Sequence, residues 1–194
     1  MLTSIAANHA KGKSAEDTIF AANAACVAAA KKIGAENVTN ATIGAILDED
    51  EKLVCLPTVD KVFRSLSTDE LIAYAPISGL PDYLEEVLNA AFGDSRPEGY
   101  MAAVATSGGT GVIHHAIWNY MDEGETALTS DWYWEPYSVL CNDMGRKLDT
   151  YPMLDENNKY NLPALKAKVE EILSKQKSLL LIINTPAHNP TGYS

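Results

Sequence analysis

Apolar and polar positions follow two different rhythms along this chain. Up to Gly34 the apolar positions crowd into an alanine-rich stretch, and Ser14 with Asp17 three residues later has the form of a capping box. One helix is therefore predicted over about 15–33. Alanine is the best helix former and also small, so the stretch satisfies propensity while permitting close packing. Beyond Gly34, short apolar runs alternate with helical segments, the pattern of an α/β architecture with a mostly parallel sheet. In PDYLEEVLNAAFG (81–93), Pro81 suits the first helical turn and Gly93 a stop. MAAVAT (101–106) predicts a strand, SGGTG (107–111) a tight loop and VIHHAIWNYM (112–121) a helix. TALTSD (126–131), PYSVLCNDMG (136–145) and KLDTYPM (147–153) continue as strand, short helix and strand. Residues 162–175 form a helix with Leu162, Leu165, Val169, Ile172 and Leu173 on one face. SLLLIIN (178–184), an uninterrupted apolar run, predicts a strand covered on both faces.

Composition narrows the partners. The chain has 194 residues, 46% hydrophobic and 21% charged, a globular mixture rather than a disordered one. Its net charge of −11 repels nucleic acid and anionic membranes, yet leaves room for one local anion site. Cys26, Cys55 and Cys141 are widely spaced, without CxxC or clustered His, so neither a disulfide framework nor a metal site is expected. A reducing cytoplasm is the expected compartment. The N-terminus lacks the ordered regions of a signal peptide, and no apolar run approaches the ~20 residues that span a bilayer.

Three loops carry candidate chemistry. SGGTG follows a predicted strand and precedes a helix, so its backbone turns sharply and aims unpaired N–H groups of the helix at the loop, a geometry suited to phosphate. Gly109 and Thr110 are the candidate donors; an ordinary βα turn has the same composition. The string matches neither dinucleotide nor P-loop fingerprints. SDWYWEPY places two tryptophans and two tyrosines at the next strand end, where a ring can cover a flat heterocycle or build an interface. NTPAHNPTG (184–192) ends the buried run with turn residues, and a plain surface turn would explain them. Together the three loops would converge on one edge of the sheet.

The strings IGAILDEDEKLVCLP (43–57), YAPISGLPDYLEEVLNAAFG (74–93), SGGTG (107–111), Trp134-Glu-Pro-Tyr and AHNPTG (187–192) resemble, in order and approximate spacing, those of fold-type I aminotransferases of class I/II. The resemblance implies transamination between an amino acid and a 2-oxo acid with pyridoxal 5'-phosphate (PLP) as cofactor. It implies a three-layer α/β/α large domain from residues 53–194, with an incomplete, mostly parallel sheet. Residues 1–52 would form a helical arm and small-domain segment. By resemblance, Gly108, Gly109 and Thr110 hold the PLP phosphate, Trp134 stacks on the pyridine ring, and Asn189 bonds the phenolic oxygen. Tyr74 reaches the phosphate in the neighbouring subunit, implying a homodimer, and Gly44 lines the substrate carboxylate pocket with Trp134 and Asn189 close by. The family's cofactor-binding lysine, its aspartate and its carboxylate-clamping arginine follow NPTG and are expected beyond Ser194, so no catalytic residue is assigned here. The chain alone is expected to be an inactive fragment, with 101–106 an unpaired edge. A PLP lyase of the same fold and a non-catalytic fragment remain alternatives.

Overall fold

A computed structural model describes residues 5–11, 18–50 and 52–194. The chain divides into two compact units, Met1–Ala73 and Tyr74–Ser194, a later division than the expected 52/53.

In the first unit, α1 (Thr18–Ile33) carries Lys31 and Lys32 in its last turn, where cations face the negative end of the helix. It stops at Gly34, whose N–H donates to Ala30 O at 3.0 Å. The capping box expected at Ser14 and Asp17 lies outside the described residues. The chain then returns along α1: Asn40 donates to Asn23 Oδ1 at 2.8 Å, and Leu47 bridges Leu53 around a turn held by Asp48. Two short helices follow, α2 (Pro57–Ser65) and α3 (Thr68–Ile72). A reciprocal capping box starts α3: Ser67 Oγ accepts from Glu70 N–H, and the Glu70 carboxylate accepts from Ser67 N–H at 2.7 Å. The Ser67 hydroxyl, which donates to the Glu70 carboxylate at 2.6 Å, and then the Ser67 N–H hold that carboxyl below its usual range.

The second unit begins with α4 (Pro81–Phe92), bounded as expected by Pro81 and Gly93. Its entry turn packs against residue 105. Ala105 N–H donates to Ser78 O at 2.8 Å, and a Cβ on Gly79, which has φ +109°, would stand 2.9 Å from Ala105 Cβ. Only glycine fits that approach. The remainder alternates as α5 (Gly108–Tyr120), β1 (Thr126–Ser130), α6 (Pro136–Asp143), β2 (Lys147–Tyr151) and α7 (Leu162–Leu173). β1 and β2 pair in parallel from Thr126↔Lys147 to Ser130↔Tyr151. On its other edge β1 meets residues 180–182: Leu128 N–H donates to Leu180 O at 3.0 Å and Ile182 N–H to Leu128 O at 2.9 Å.

Successive β1 side chains point to opposite faces. Ala127 packs with Ile117 and Met121 around α5 and with Cys141 of α6. Leu128 packs with Tyr151 and with Leu165 and Ile172 of α7. The result is helix, sheet, helix, an α/β/α sandwich built on a short parallel sheet.

Several expectations change. Residues 101–106 are extended but join no ladder. Residues 178–184 pair only around Leu181, and Ile183 is 54% exposed, so the run is not covered on both faces. Among the described residues nothing pairs with its far edge. The apolar run encodes burial that these residues do not supply. SGGTG is not a loop but largely the first turn of α5, entered through Gly108 at φ +67°. On α7, Leu165 and Ile172 are buried while Leu162 and Leu173 are 62% and 44% exposed, being the terminal residues of the helix.

Truncating Leu128, which is fully buried, should lower stability by about 2–5 kcal/mol for Leu128→Ala in urea unfolding. Thiol alkylation should separate the cysteines: Cys55 is exposed, whereas Cys141 is buried and burial pushes its thiol pKa up. Native protein should label at Cys55 well before Cys141, and denaturant should remove the difference.

Candidate cofactor site

The position of α5 follows from its packing. Ile113, Ile117 and Met121 line the face that meets Ala127, and a short connection, 121–125, returns the chain into β1. The helix therefore runs antiparallel to β1, with its N-terminus toward the strand's carboxyl end. Arg146 closes the opposite end: its guanidinium donates to Met121 O at 2.7 and 3.2 Å and to Met144 O, and lies 5.3 Å from the Trp118 ring centre. A cation on terminal carbonyls complements the helix dipole.

At the N-terminus no side chain caps the helix. Gly111 N–H makes the first helical bond, to Ser107 O at 3.2 Å, and Gly108 N–H turns back to Thr106 O at 2.8 Å. The N–H groups of Gly109 and Thr110 lie between these and have no intrahelical acceptor. Gly108 adopts φ +67°, and a Cβ at Gly108 or Gly109 would meet nothing within 4 Å. Two orphan donors and the exposed Thr110 hydroxyl thus face open space, so Gly108 contributes backbone conformation rather than a free N–H.

The carboxyl end of β1 fixes the aromatic loop. Asp131 N–H donates to Tyr151 O at 2.8 Å, and Asp131 Oδ1 accepts from Met153 N–H at 2.9 Å and Trp132 N–H at 3.0 Å. Trp134 is half-buried and meets Tyr137 edge-on, with ring centres 5.6 Å apart and planes at 81°. Tyr133 stacks on Tyr137 from another side at 6.2 Å. Trp132 is 57% exposed.

The third loop is tied to the same edge. His188, buried, places Nε2 at 3.3 Å from Ser130 Oγ and Nδ1 at 2.9 Å from Thr191 Oγ1. Asn189 N–H donates to Asn184 Oδ1 at 2.7 Å, leaving the Asn189 side chain exposed. Thus Thr110, Trp134 and Asn189 belong to elements that all end on the carboxyl edge of β1, where open parallel sheets bind ligands. Tyr74 is 99% exposed, and Gly44 belongs to the first unit, with nothing within 4 Å of an added Cβ. Sequence reasoning missed His188, Asp131 and Asn184. His188 stands inside AHNPTG, but periodicity carries no signal that its ring would be buried.

A cleft of about 830 Å³ belongs to the first unit, lined by Cys26, Val27, Ala30, Ile43, Leu47 and Leu53 among others. It contains none of the residues just described. Among the described residues no cluster of three His, Cys, Asp or Glu is placed to hold a metal, and no helix is long and apolar enough to cross a membrane.

These features define an α/β unit in which an uncapped helix start, an aromatic loop and an amide-bearing loop share one sheet edge. Residues 36–194 match the sequence model of aminotransferase class I and II, and the chain belongs to that family. The crystal structure of an aminotransferase from Anaerococcus prevotii is similar with a TM-score of 0.93 and 35% identity, over 99% of this chain and 47% of that one. The aromatic-amino-acid aminotransferase of Paracoccus denitrificans is 27% identical over 132 residues, 66% of this chain and 33% of its own. The mitochondrial aspartate aminotransferase of Dictyostelium discoideum is 27% identical over 166 residues, 79% of this chain and 37% of its own. The chain thus spans between a third and a half of the length of these relatives.

PLP fits the residues present. Its phosphate matches the orphan donors of α5, the absence of Cβ at Gly108 and Gly109 leaves the approach open, and Trp134 offers a flat apolar surface.

The two glycines should respond oppositely to alanine. Gly108→Ala forces a side chain into the left-handed region and should cost about 1–2 kcal/mol. Gly109→Ala meets no neighbour and should be neutral or stabilising by up to about 1 kcal/mol. Urea unfolding of the two variants measures both.

Proposed function

We propose that this chain supplies the cofactor cradle of a PLP-dependent aminotransferase that exchanges an amino group between an amino acid and a 2-oxo acid. The observation that carries the reading is the open first turn of α5, with two orphan N–H groups, on the same sheet edge as Trp134 and Asn189. Gly109 and Thr110 N–H groups and the Thr110 hydroxyl would bind the phosphate, with Gly108 shaping the turn. Each such bond to a charged group is worth about 1.5–3 kcal/mol, more than the ~0.3–1 kcal/mol of the dipole, so local donors dominate. Trp134 would lie on the pyridine ring and fix its plane, while the Asn189 amide would donate to the phenolic oxygen. When bound, PLP supplies the electron sink for charge developing at the substrate Cα. Trp134 and Asn189 would also bound the substrate.

The full exposure of Tyr74 supports its reaching a neighbouring subunit in a homodimer. Three free thiols, one exposed, fit a reducing cytoplasm.

The proton-transferring amine is the missing part. Lys147 opens β2 at its amino end, and Lys168 is held in ion pairs with Asp149 at 3.1 Å and Glu171 at 3.0 Å. The 194-residue chain alone should therefore show no transaminase turnover, whereas a longer protein with a lysine beyond Ser194 should be yellow with PLP and active on a panel of amino acids. Turnover by the isolated chain, with a borohydride-trapped adduct on one of its own lysines, would refute the reading. Elimination without amino transfer in the longer protein would instead assign a lyase. In that protein Thr110→Val should weaken PLP binding by about 1.5–3 kcal/mol in a cofactor titration.

A further inference from the structure

His188 is only 6% exposed, although its ring carries two polar nitrogens and belongs to a loop of turn residues. Ala187 before it stands at φ +52°, a left-handed conformation that a Cβ disfavours and that persists where the surroundings enforce it. Both ring nitrogens have partners. Nε2 lies 3.3 Å from Ser130 Oγ, and Nδ1 lies 2.9 Å from Thr191 Oγ1.

The direction of these bonds follows from their ends. The Ser130 hydroxyl donates its one proton to Trp132 O, and a carbonyl can only accept. Ser130 Oγ must therefore accept from His188, which places the imidazole proton on Nε2. A neutral ring protonated there is an acceptor at Nδ1, so the Thr191 hydroxyl donates to it. Thr191 Oγ1 in turn accepts from Tyr193 N–H at 3.3 Å. Four bonds thus run one way, from Tyr193 N–H through Thr191, His188 and Ser130 to Trp132 O. Serine and histidine also meet in nucleophilic sites, but there the serine proton goes to the imidazole. Here it is committed to a carbonyl, so the arrangement holds rather than attacks.

This chain of bonds crosses between loops. The other hydrogen bonds that 185–194 make among the described residues stay within 184–194, such as Asn189 N–H to Asn184 Oδ1 at 2.7 Å and Ala187 N–H to Ser194 Oγ at 2.9 Å. His188 carries the loop's hold to β1 and, through Ser130, to the main chain of the aromatic loop. There the Trp132 N–H is fixed as well, by Asp131 Oδ1 at 3.0 Å.

We propose that His188 is a positioning residue: as a neutral imidazole protonated on Nε2, it fastens the segment that bears Asn189 to the turn that bears Trp134, so that amide and ring are set as one unit. Both of its nitrogens are spent inside the chain of bonds, so it acts through Asn189 and Trp134. In its bearing on ligand the proposal rests on the cofactor reading above; the bonds themselves do not.

The test uses the 194-residue chain. Nitrogen-15 NMR of the wild-type His188 ring at about pH 8.5, well above the ordinary histidine range, should show one neutral tautomer protonated on Nε2. A proton on Nδ1, or a mixture, would overturn the proposal before any residue is changed. Amide hydrogen exchange is then read at Asn189, at Trp132 and, as a control for general loosening, at Leu128 in the centre of β1. His188→Phe, which keeps a flat ring without nitrogens, and Ser130→Ala should each speed exchange at Asn189 and Trp132 about fivefold, the worth of one hydrogen bond, and leave Leu128 unchanged. His188→Gln, whose amide can still donate to Ser130, should return both rates close to wild type. Unchanged exchange at Asn189 in Ser130→Ala, equal acceleration at Leu128, or no difference between His188→Gln and His188→Phe would each overturn the role. Should His188→Phe fail to fold, Ser130→Ala and the wild-type ring spectrum decide. Tryptophan fluorescence titrations with PLP and with inorganic phosphate address the ligand side. Ser130→Ala and His188→Phe should weaken PLP binding severalfold and leave phosphate binding unchanged, because the start of α5 takes no part in the chain of bonds. PLP binding unaffected by both variants would overturn the positioning role. Wild-type chain that shows the tautomer and the coupled exchange but takes up neither ligand would refute the cofactor reading and leave the link between the loops standing.

Discussion

β1 is five residues long, and both of its edges and both of its faces are in use. Leu128 gives its N–H and its carbonyl to residues 180–182 on one edge while β2 takes the other, and Ala127 and Leu128 turn to opposite helical layers. A backbone polar group buried without a partner is costly, so a central strand in this setting has little freedom to slip. A shift by one residue would send Leu128 toward α5 and Ala127 toward α7, exchanging a large and a small contact. That register fixes where β1 ends, and with it the Ser130 hydroxyl that meets His188 and the Asp131 carboxylate that anchors Trp132 and Met153. The three candidate loops converge because one strand delivers them.

The order of elements in the second unit was legible from pattern, since α4, β1, α6, β2 and α7 all fall within the predicted segments and α5 differs by starting at Gly108. Proline at first turns, glycine at stops and helical spacing are local signals, and local signals survive without knowledge of the rest of the fold. The strand at 178–184 was misjudged for the opposite reason, while 101–106 joins no ladder, in keeping with the unpaired edge expected there. A strand is defined by its neighbours, and an apolar run reports only that neighbours are wanted. The SGGTG segment shows the reverse case: a string that looks like loop chemistry winds into helix because the turn is made one residue earlier.

At the site, the residues with a resemblance behind them were named in advance, and their supports were not. Thr110, Trp134 and Asn189 stand on one sheet edge, as the strand–loop–helix order requires. His188 and Asp131 act through contacts to residues distant in sequence, Ser130 and Met153, and no spacing rule encodes those. Where an amide side chain holds a loop, its residue type looks like ordinary turn composition until the partner is known.

The cradle at the start of α5 is made chiefly of main-chain N–H groups, and main-chain amides do not ionise over the range in which proteins live. Any dependence on acidity in how this turn grips an anion is therefore inherited from the anion. For a phosphate monoester that means its second ionisation, near pH 6, as the ester passes from one negative charge to two. The helix start would offer the same donors to both forms, so a bound phosphate would be held more strongly with rising pH by its own titration, and side-chain replacement in the first turn can reshape the approach without removing the donors themselves.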